Sequence, residues 1–145
     1  MENDLTPYMY PNQYVNYTEE SPLILKAEEL CAGCTTDTEK VDAIIGFVTG
    51  NMVYDYNKAA TVTTGYLPVP DNTLVEKTGI CFDFSSLIAA MLRSQGIPVQ
   101  LTIGYADKTY HAWNMVYLDG QWVIYDATAI ICNTHVSRYT IERYY

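Results

Sequence analysis

The segment Lys77-Thr-Gly-Ile-Cys81-Phe-Asp-Phe-Ser-Ser-Leu-Ile-Ala-Ala-Met-Leu-Arg-Ser-Gln-Gly96-Ile-Pro98 contains the clearest helix of the chain. Its large apolar residues recur at the spacing of one helix face, and they are Phe84, Leu87, Ile88, Met91 and Leu92. The spacing predicts a helix from Cys81 to Gln95 that buries this face and ends before Gly96 and Pro98. A cysteine therefore begins the helix around which the domain is expected to pack.

After this helix the hydrophobic period changes to two, which is typical of strands. The alternation predicts strands over Val99–Tyr105, Ala112–Leu118 and Gln121–Tyr125. Asp119-Gly120 separates the last two strands, and this dipeptide is a strong signal for a two-residue hairpin turn. The sequence thus predicts an antiparallel sheet downstream of the helix.

The hairpin fixes which side chains face one another. A two-residue turn pairs Leu118 with Gln121, and the same register sets Trp113 opposite Asp126. His111 then lies one diagonal step from Asp126 on the same face, within reach of a hydrogen bond. A register slip of one residue would turn the two side chains to opposite faces.

The N-terminal half of the chain predicts two further helices. Ser21-Pro22 is a typical helix start, and that helix runs towards Gly33. Thr36 and Glu39 fit a capping box, which opens a helix that extends to about Met52. Together with the strands, these helices predict an α+β domain in which helices pack on an antiparallel sheet.

Three parts of the chain lack a clear period. Residues 1–20 are predicted to form an extended arm, which leaves residues 21–145 as one domain. Residues 54–78 contain several helix breakers and are predicted to be an irregular loop, and so long a loop is typical of a functional site. Residues 130–145 remain unassigned.

The composition excludes several classes of function. The chain has 145 residues, which at roughly 150 residues per domain predicts a single domain. Its 8 Lys and Arg against 17 Asp and Glu give a net charge of −9, and so acidic a surface repels nucleic acids and anionic lipid headgroups. No run approaches the ~18 apolar residues of a membrane span, so membrane insertion is not expected.

Cys81 is the candidate nucleophile. The start of a helix places a thiol beside the positive end of the helix dipole and beside unpaired N–H groups, both of which favour the thiolate. The alternative is a buried structural cysteine, since free cysteines are among the most buried residues. His111 has its own alternative as a structural histidine, but Asp126 lies in an apolar run where an unpaired carboxylate is costly.

The residues that carry this chemistry resemble the transglutaminase-like superfamily, which shares the papain-type core. The resemblance rests on the blocks around Gly79-Ile-Cys81, His111-Ala-Trp113 and Asp126-Ala-Thr128, in that order, and on Tyr54-Asp-Tyr56 upstream. Ala127 departs from the proline that many members carry at that position. The resemblance implies that Cys81 is the nucleophile, that His111 is the general base and acid, and that Asp126 orients the imidazole.

The implied reaction is thiol acyl transfer on a peptide or protein amide, and it requires no cofactor and no metal. The Cys81 N–H and the Tyr54 hydroxyl are candidate oxyanion donors. The short chain favours hydrolysis over crosslinking, while transfer to small amines and a non-catalytic peptide-binding module are the alternatives. The low charge and many Tyr, Thr and Asn residues resemble exported bacterial members, which favours an extracytoplasmic location.

Other residues have two readings each. Trp113 is expected either to wall the cleft or to pack in the core. Tyr54, Tyr56 and Tyr110 belong to seven tyrosines of residues 54–125 that are expected to line a peptide groove. Two short pairs have the spacing of metal ligands, and they are Cys31 with Cys34 and Cys132 with His135. We expect free thiols or a disulfide here rather than a zinc site.

Overall fold

A computed structural model describes residues 4–145. It contains a four-stranded antiparallel sheet in the order β5-β4-β3-β6 and a small parallel pair, β1-β2. Helices pack on the sheet, so the predicted α+β class is confirmed. The elements in chain order are α1 (Pro22–Cys31), α2 (Asp37–Asn51), β1 (Val53–Tyr54), α3 (Tyr56–Thr61), α4 (Pro70–Glu76), β2 (Thr78–Gly79), α5 (Cys81–Ser94), β3 (Val99–Ala106), β4 (Thr109–Leu118), β5 (Gln121–Tyr125), α6 (Ala127–Cys132) and β6 (Tyr139–Tyr144).

Helix α5 forms the centre of the core. It begins at Cys81 as expected and ends at Ser94, one residue earlier than predicted. All five residues of its predicted apolar face are fully buried. Helices α1, α2 and α4 pack around it, and strands β3 and β4 cover it from the other side. The cysteine at the start of α5 is therefore held by a helix whose residues from Asp83 to Arg93 are all buried.

The β4–β5 hairpin has the predicted register. Leu118 pairs with Gln121, and Asp119 and Gly120 both have positive φ, of 51° and 80°. Two positive φ values in a two-residue loop are the signature of a type I′ turn. Strand β4 begins three residues before the predicted start, at Thr109, so that His111 lies inside the strand.

The prediction of an irregular loop over residues 54–78 is wrong. Strands β1 and β2 pair in parallel, with Tyr54 opposite Gly79, and helices α3 and α4 lie between them. Each strand has only two residues, too few for a period to show in the sequence. This pairing places Tyr54 next to the turn that leads into Cys81.

Residues 130–145, which had no assignment, contain part of α6 and all of β6. Strand β6 pairs with β3 across a bulge, because Arg143 faces Ile103 while Ile141 faces Gly104. A Cβ on Gly104 would lie 2.0 Å from the Thr140 carbonyl oxygen. Only glycine therefore allows β6 to approach β3 at this point.

The segment before α1 packs onto the domain. It contains a short 3-10 helix over Thr6–Tyr8, and the side chain of Val15 is fully buried. The Ser86 hydroxyl donates to the Tyr14 carbonyl at 2.6 Å, and Arg93 donates to the Tyr10 carbonyl at 2.8 Å. Both donors lie on α5, so this segment is attached to the central helix.

Across residues 4–145, no helix is both long enough and apolar enough to cross a membrane. The extracytoplasmic location stays a prediction.

Candidate active site

A cavity of about 470 Å³ opens at the N-terminus of α5. Its wall combines the start of α5, the loop that follows α3 and the near ends of strands β1, β3, β4 and β6. Its lining residues include Tyr54, Tyr66, Cys81, Tyr110, His111 and Arg143. The volume is in the range of small-ligand sites and gives room for part of a peptide.

The His111 imidazole lies beside the Asp126 carboxylate. Its Nε2 is 2.9 Å from Oδ2 and 3.1 Å from Oδ1. Asp126 also caps helix α6, where its Oδ1 accepts from the Ala129 N–H at 3.1 Å. The Tyr139 hydroxyl donates to Oδ2 at 2.9 Å. The Asp126 carboxylate is therefore buried, and both of its oxygens have hydrogen-bond partners, as buried polar groups require.

The use of Nε2 by Asp126 determines what the other ring nitrogen can do. Nδ1 is therefore not used by Asp126, and the Cys81 thiol lines the same cavity as the imidazole. The Trp113 ring stacks beside the imidazole, with ring centroids 6.2 Å apart and planes 26° from parallel. The indole therefore packs against the side of the imidazole.

The electrostatics of the pair favour opposite charges. Burial alone would lower the pKa of His111, but interactions with Asp126 and then Cys81 outweigh it and raise the pKa to about 9. Burial alone would raise the pKa of Asp126, but the hydrogen bond from His111 leads several contacts that lower it. His111 is therefore an imidazolium at neutral pH in the presence of Cys81 and Asp126.

The other four sequence-derived site residues occupy different positions. Tyr54 and Tyr110 line the cavity together with Cys81. Trp113 is fully buried beside His111 and the Tyr139 ring, so it lies behind the imidazole. Tyr56 is 70% exposed, and its ring packs on Tyr54 outside the cavity lining. The roles of all four in catalysis or binding stay predictions.

A buried carboxylate near the nucleophile belongs to Asp83, whose position in the first turn of α5 indicated from the sequence either tuning of Cys81 or ordinary helix chemistry. Asp83 has a fully buried side chain and accepts from the Ile80 N–H at 3.0 Å, from the Tyr66 hydroxyl and from Lys58 Nζ at 2.8 Å. Because Lys58 belongs to α3 and Tyr66 to the following loop, Asp83 ties the cavity wall to α5. The signal was present in the sequence as an acid on the third residue of a buried helix, a position that also suits an ordinary helix cap.

The sequence analysis did not identify Tyr139 and Arg143 as residues of the site. Both residues belong to β6, which has only six residues. Its alternation is too short to predict a strand from the sequence. Pairing with β3 brings Tyr139 to Asp126 and Arg143 to the cavity.

The cysteines outside the site show no metal arrangement within residues 4–145. No group of three His, Cys, Asp or Glu side chains is close enough there to hold an ion, and all four cysteines are free thiols. The disulfide considered for Cys31 and Cys34 is therefore not formed in the structure.

The sequence model of the transglutaminase-like superfamily matches residues 26–127, which is more than half of the chain. The chain belongs to the transglutaminase-like superfamily. The matched range contains Cys81, His111 and Asp126, and it ends before Tyr139 and Arg143. The resemblance inferred from three sequence blocks is thereby confirmed.

Individual transglutaminase-like relatives agree with this assignment. The human kyphoscoliosis peptidase is 27% identical over 137 residues, which cover 85% of this chain. A crystal structure of a candidate cysteine protease from Cytophaga hutchinsonii superposes with a TM-score of 0.74 at 28% identity and covers 94% of this chain. A crystal structure described as a TGase matches with a TM-score of 0.65 at 24% identity over 85% of this chain, which shows the shared fold.

These transglutaminase-like relatives are much longer than the chain. It spans 21% of the human peptidase, 46% of the C. hutchinsonii protein and 36% of the TGase. The common part is therefore the α+β unit that holds Cys81, His111 and Asp126.

Proposed function

We propose that this chain is a cysteine enzyme that cleaves peptide or protein amides through Cys81, His111 and Asp126. One observation carries the proposal. The Cys81 thiol and the His111 imidazole line one cavity, and the imidazole is hydrogen-bonded through its Nε2 to the buried Asp126 carboxylate. Cysteine–histidine pairs that are oriented by a third group are typical of activated nucleophiles. The membership of the superfamily supports the same chemistry.

In the first half-reaction the Cys81 thiolate attacks the amide carbonyl carbon and forms a C–S bond. The carbonyl electron pair moves to oxygen and then returns as the C–N bond breaks. The His111 imidazolium gives its proton to the departing nitrogen, which leaves as ammonia or an amine. The product is a thioester on Cys81 beside a neutral His111.

In the second half-reaction water attacks the thioester carbonyl. His111 takes a proton from this water and returns it to the sulfur as the C–S bond breaks, so that a carboxylic acid is released. Asp126 stays ionised and stabilises the imidazolium in both halves. If an amine replaces water, the same steps form a new amide.

The oxyanion that forms during attack needs hydrogen-bond donors. The Cys81 N–H is in the first turn of α5, where no acceptor exists within the helix. Burial first and the nearby Cys81 second raise the pKa of Tyr54 to about 12, so its hydroxyl keeps the proton that it would donate. We assign the oxyanion site to these two donors.

We favour hydrolysis over crosslinking, in line with a human relative named as a peptidase and a C. hutchinsonii relative named as a candidate cysteine protease. Transfer to an amine and a non-catalytic peptide-binding module are the competing functions. The binding module requires Cys81 to behave as an ordinary thiol, whereas both enzyme functions require it to be an activated nucleophile.

Alkylation by iodoacetamide at pH 7 tests the nucleophile, with peptide mass mapping to separate the four cysteines. We expect Cys81 to react at least about tenfold faster than Cys34, because an unperturbed thiol is only a few per cent thiolate at this pH. His111→Ala should remove the difference, and His135→Ala is the matched control. Equal rates at Cys81 and Cys34 in the unaltered chain would support the binding module instead.

Hydrolysis and transfer are separated by the fate of the thioester. The chain is incubated with a peptide mixture in H₂¹⁸O containing a fluorescent primary amine. Hydrolysis places one ¹⁸O in each product acid, while transfer places the amine on the peptide. Cys81→Ser should abolish both products, and amine incorporation in excess of ¹⁸O would overturn the preference for hydrolysis.

A further inference from the structure

The cavity has the opposite charge character from the protein that contains it. The chain carries a net charge of −9, yet among residues 4–145 no Asp or Glu lines the cavity. Its lining contains the Arg143 guanidinium and the His111 imidazole. The carboxylates of Asp83 and Asp126, which lie beside Cys81 and His111, point instead into buried hydrogen bonds. A ligand that enters the cavity therefore meets positive charge.

Sheet geometry delivers Arg143 to this place. Arg143 pairs with Ile103 on β3, and Ile103 pairs with Ala112 on β4, so the three side chains share one face of the sheet. Ile103 and Ala112 also line the cavity, next to His111. Glu142 has no partner on β3 because of the bulge, and bulges commonly re-aim a side chain in this way.

The guanidinium has donors to spare. One Nη donates to the Tyr110 hydroxyl at 2.8 Å, and the other lies 3.4 Å from a Glu142 carboxylate oxygen. Both Arg143 and Glu142 are about half exposed in that ion pair, so water screens it and it contributes little. An arginine has five N–H donors, and Tyr110 and Glu142 occupy two of them.

We propose that Arg143 forms a carboxylate-binding subsite, so that the preferred substrate has a carboxylate close to the amide that Cys81 attacks. The guanidinium is suited to this ligand because its planar N–H groups match the two oxygens of a carboxylate. The Tyr110 hydroxyl holds the guanidinium at the cavity wall. This inference rests on the proposed function, because it concerns the substrate of the same thiol.

The subsite is tested with two thiol-alkylating reagents that react by the same mechanism but differ in charge. With iodoacetate and with iodoacetamide, the Cys81 sulfur forms a bond to the CH₂ carbon while the C–I bond breaks and iodide leaves. The ratio of the two rates reports the charge preference of the cavity. We expect Arg143→Gln to lower the ratio of iodoacetate to iodoacetamide by about threefold, the size typical of a half-exposed ion pair. Arg143→Lys should restore part of the ratio, because it restores the charge.

Arg138→Gln is the matched control, because Arg138 is exposed on the segment before β6 and does not line the cavity. It removes the same charge from the protein and should leave the ratio unchanged. A ratio that Arg143→Gln leaves unchanged, while iodoacetamide still reacts rapidly with Cys81, would overturn the subsite and leave the nucleophile intact. Slow iodoacetamide labelling of the unaltered chain would overturn the proposed function itself.

The carboxylate can come from a peptide C-terminus or from an acidic side chain. Three iodoacetyl probes distinguish these sources: iodoacetylglycine, iodoacetylglutamic acid α-amide and the neutral iodoacetylglutamine amide. Faster labelling by either acid than by the neutral probe, lost in Arg143→Gln, supports the subsite, and the faster acid identifies the source. Equal rates for all three probes would contradict it.

Discussion

Asp126 is the residue in which the fold and the candidate site meet. Its Oδ1 accepts from the Ala129 N–H at the start of α6, and its Oδ2 lies 2.9 Å from His111 Nε2. The Tyr139 hydroxyl completes the set of donors. Because the cap, the imidazole and the phenol share one carboxylate, the position of the imidazole depends on three elements at once.

The charge state of His111 provides the first prediction at this scale. Asp126→Asn keeps a residue that caps helices well but removes the negative charge. The pKa of His111 should fall from about 9 towards or below 6.5, because burial, which lowers it, then loses its main opponent. NMR titration of the imidazole measures this change.

The control for that titration is Asp119→Asn in the exposed β4–β5 turn. It removes the same charge, and asparagine tolerates the positive φ of 51° at this position. His111 should then titrate as in the unaltered chain. If Asp126→Asn leaves the titration near pH 9, the carboxylate is not what holds the proton on the ring.

At the scale of elements, α5 carries both the thiol and the carboxylate that holds the cavity wall. Asp83 lies two residues after Cys81, and its Oδ2 accepts from the Ile80 N–H while Lys58 approaches the same atom. A Cβ on Gly79 would lie 2.7 Å from the Asp83 Cβ, so the turn before α5 fits only glycine. The first turn of α5 therefore carries Cys81 and also Asp83, which contacts the cavity wall through Lys58 and Tyr66.

Asp83→Asn tests this attachment. The loss of the charge should weaken the contacts with Lys58 and Tyr66 and lower the free energy of unfolding by about 1–3 kcal/mol, discounted because Lys58 is partly exposed. Amide hydrogen exchange over residues 58–66 should accelerate more than exchange within α5. Glu76→Gln, an exposed acid on α4, should change neither quantity. Uniform acceleration across the chain would indicate general destabilisation instead.

The elements differ in how far the sequence determined them. Helix α5 and the β4–β5 hairpin were predictable because their patterns are long and their end signals are local, such as Gly96 and the Asp119-Gly120 turn. Strands β1 and β2 have two residues each, and β6 gains its place only by pairing with β3, 30 or more residues away. Such contacts leave no local period.

The contact between Asp126 and His111 was also only partly predictable from the sequence. The predicted register is correct, and the β4–β5 ladder ends at Asn114 opposite Tyr125. Asp126 then leaves the sheet to cap α6, so its carboxylate reaches His111 from a helix cap rather than from a strand diagonal. Periodicity predicted that the two residues meet, but the helix start that orients the carboxylate was not assigned.

For the whole molecule, Arg93 connects the segments that flank the domain to its core. Arg93 is 3% exposed, and its guanidinium donates to the carbonyls of Val99, Tyr10 and Tyr145. Its burial lowers the pKa to about 10, and it stays charged at neutral pH. One side chain of α5 therefore holds the N-terminal segment, β3 and the residue after β6.

Arg93→Met should lower the free energy of unfolding by about 2–4 kcal/mol, because buried carbonyls lose charged donors. Urea denaturation measures the loss. Arg138→Met replaces an exposed arginine and should leave stability within about 0.5 kcal/mol. Equal stability of the two variants would mean that water replaces the Arg93 contacts without cost.

The many tyrosines follow the same division between flanks and cavity. Tyr14 packs on Tyr145 with ring centroids 4.1 Å apart, which joins the two flanking segments to each other. Of the seven central tyrosines, Tyr54, Tyr66 and Tyr110 line the cavity, while Tyr117 packs on Trp122 at the other end of the hairpin. The expected tyrosine groove is thus confined to three residues.

The late position of β6 in the chain has a consequence for synthesis. A nascent chain that has emerged as far as residue 132 already contains Cys81, His111 and Asp126. It still lacks Tyr139, which donates to Asp126, and Arg143, which charges the cavity. During synthesis Cys81 therefore emerges before β6, and its surroundings are complete only when β6 docks on β3.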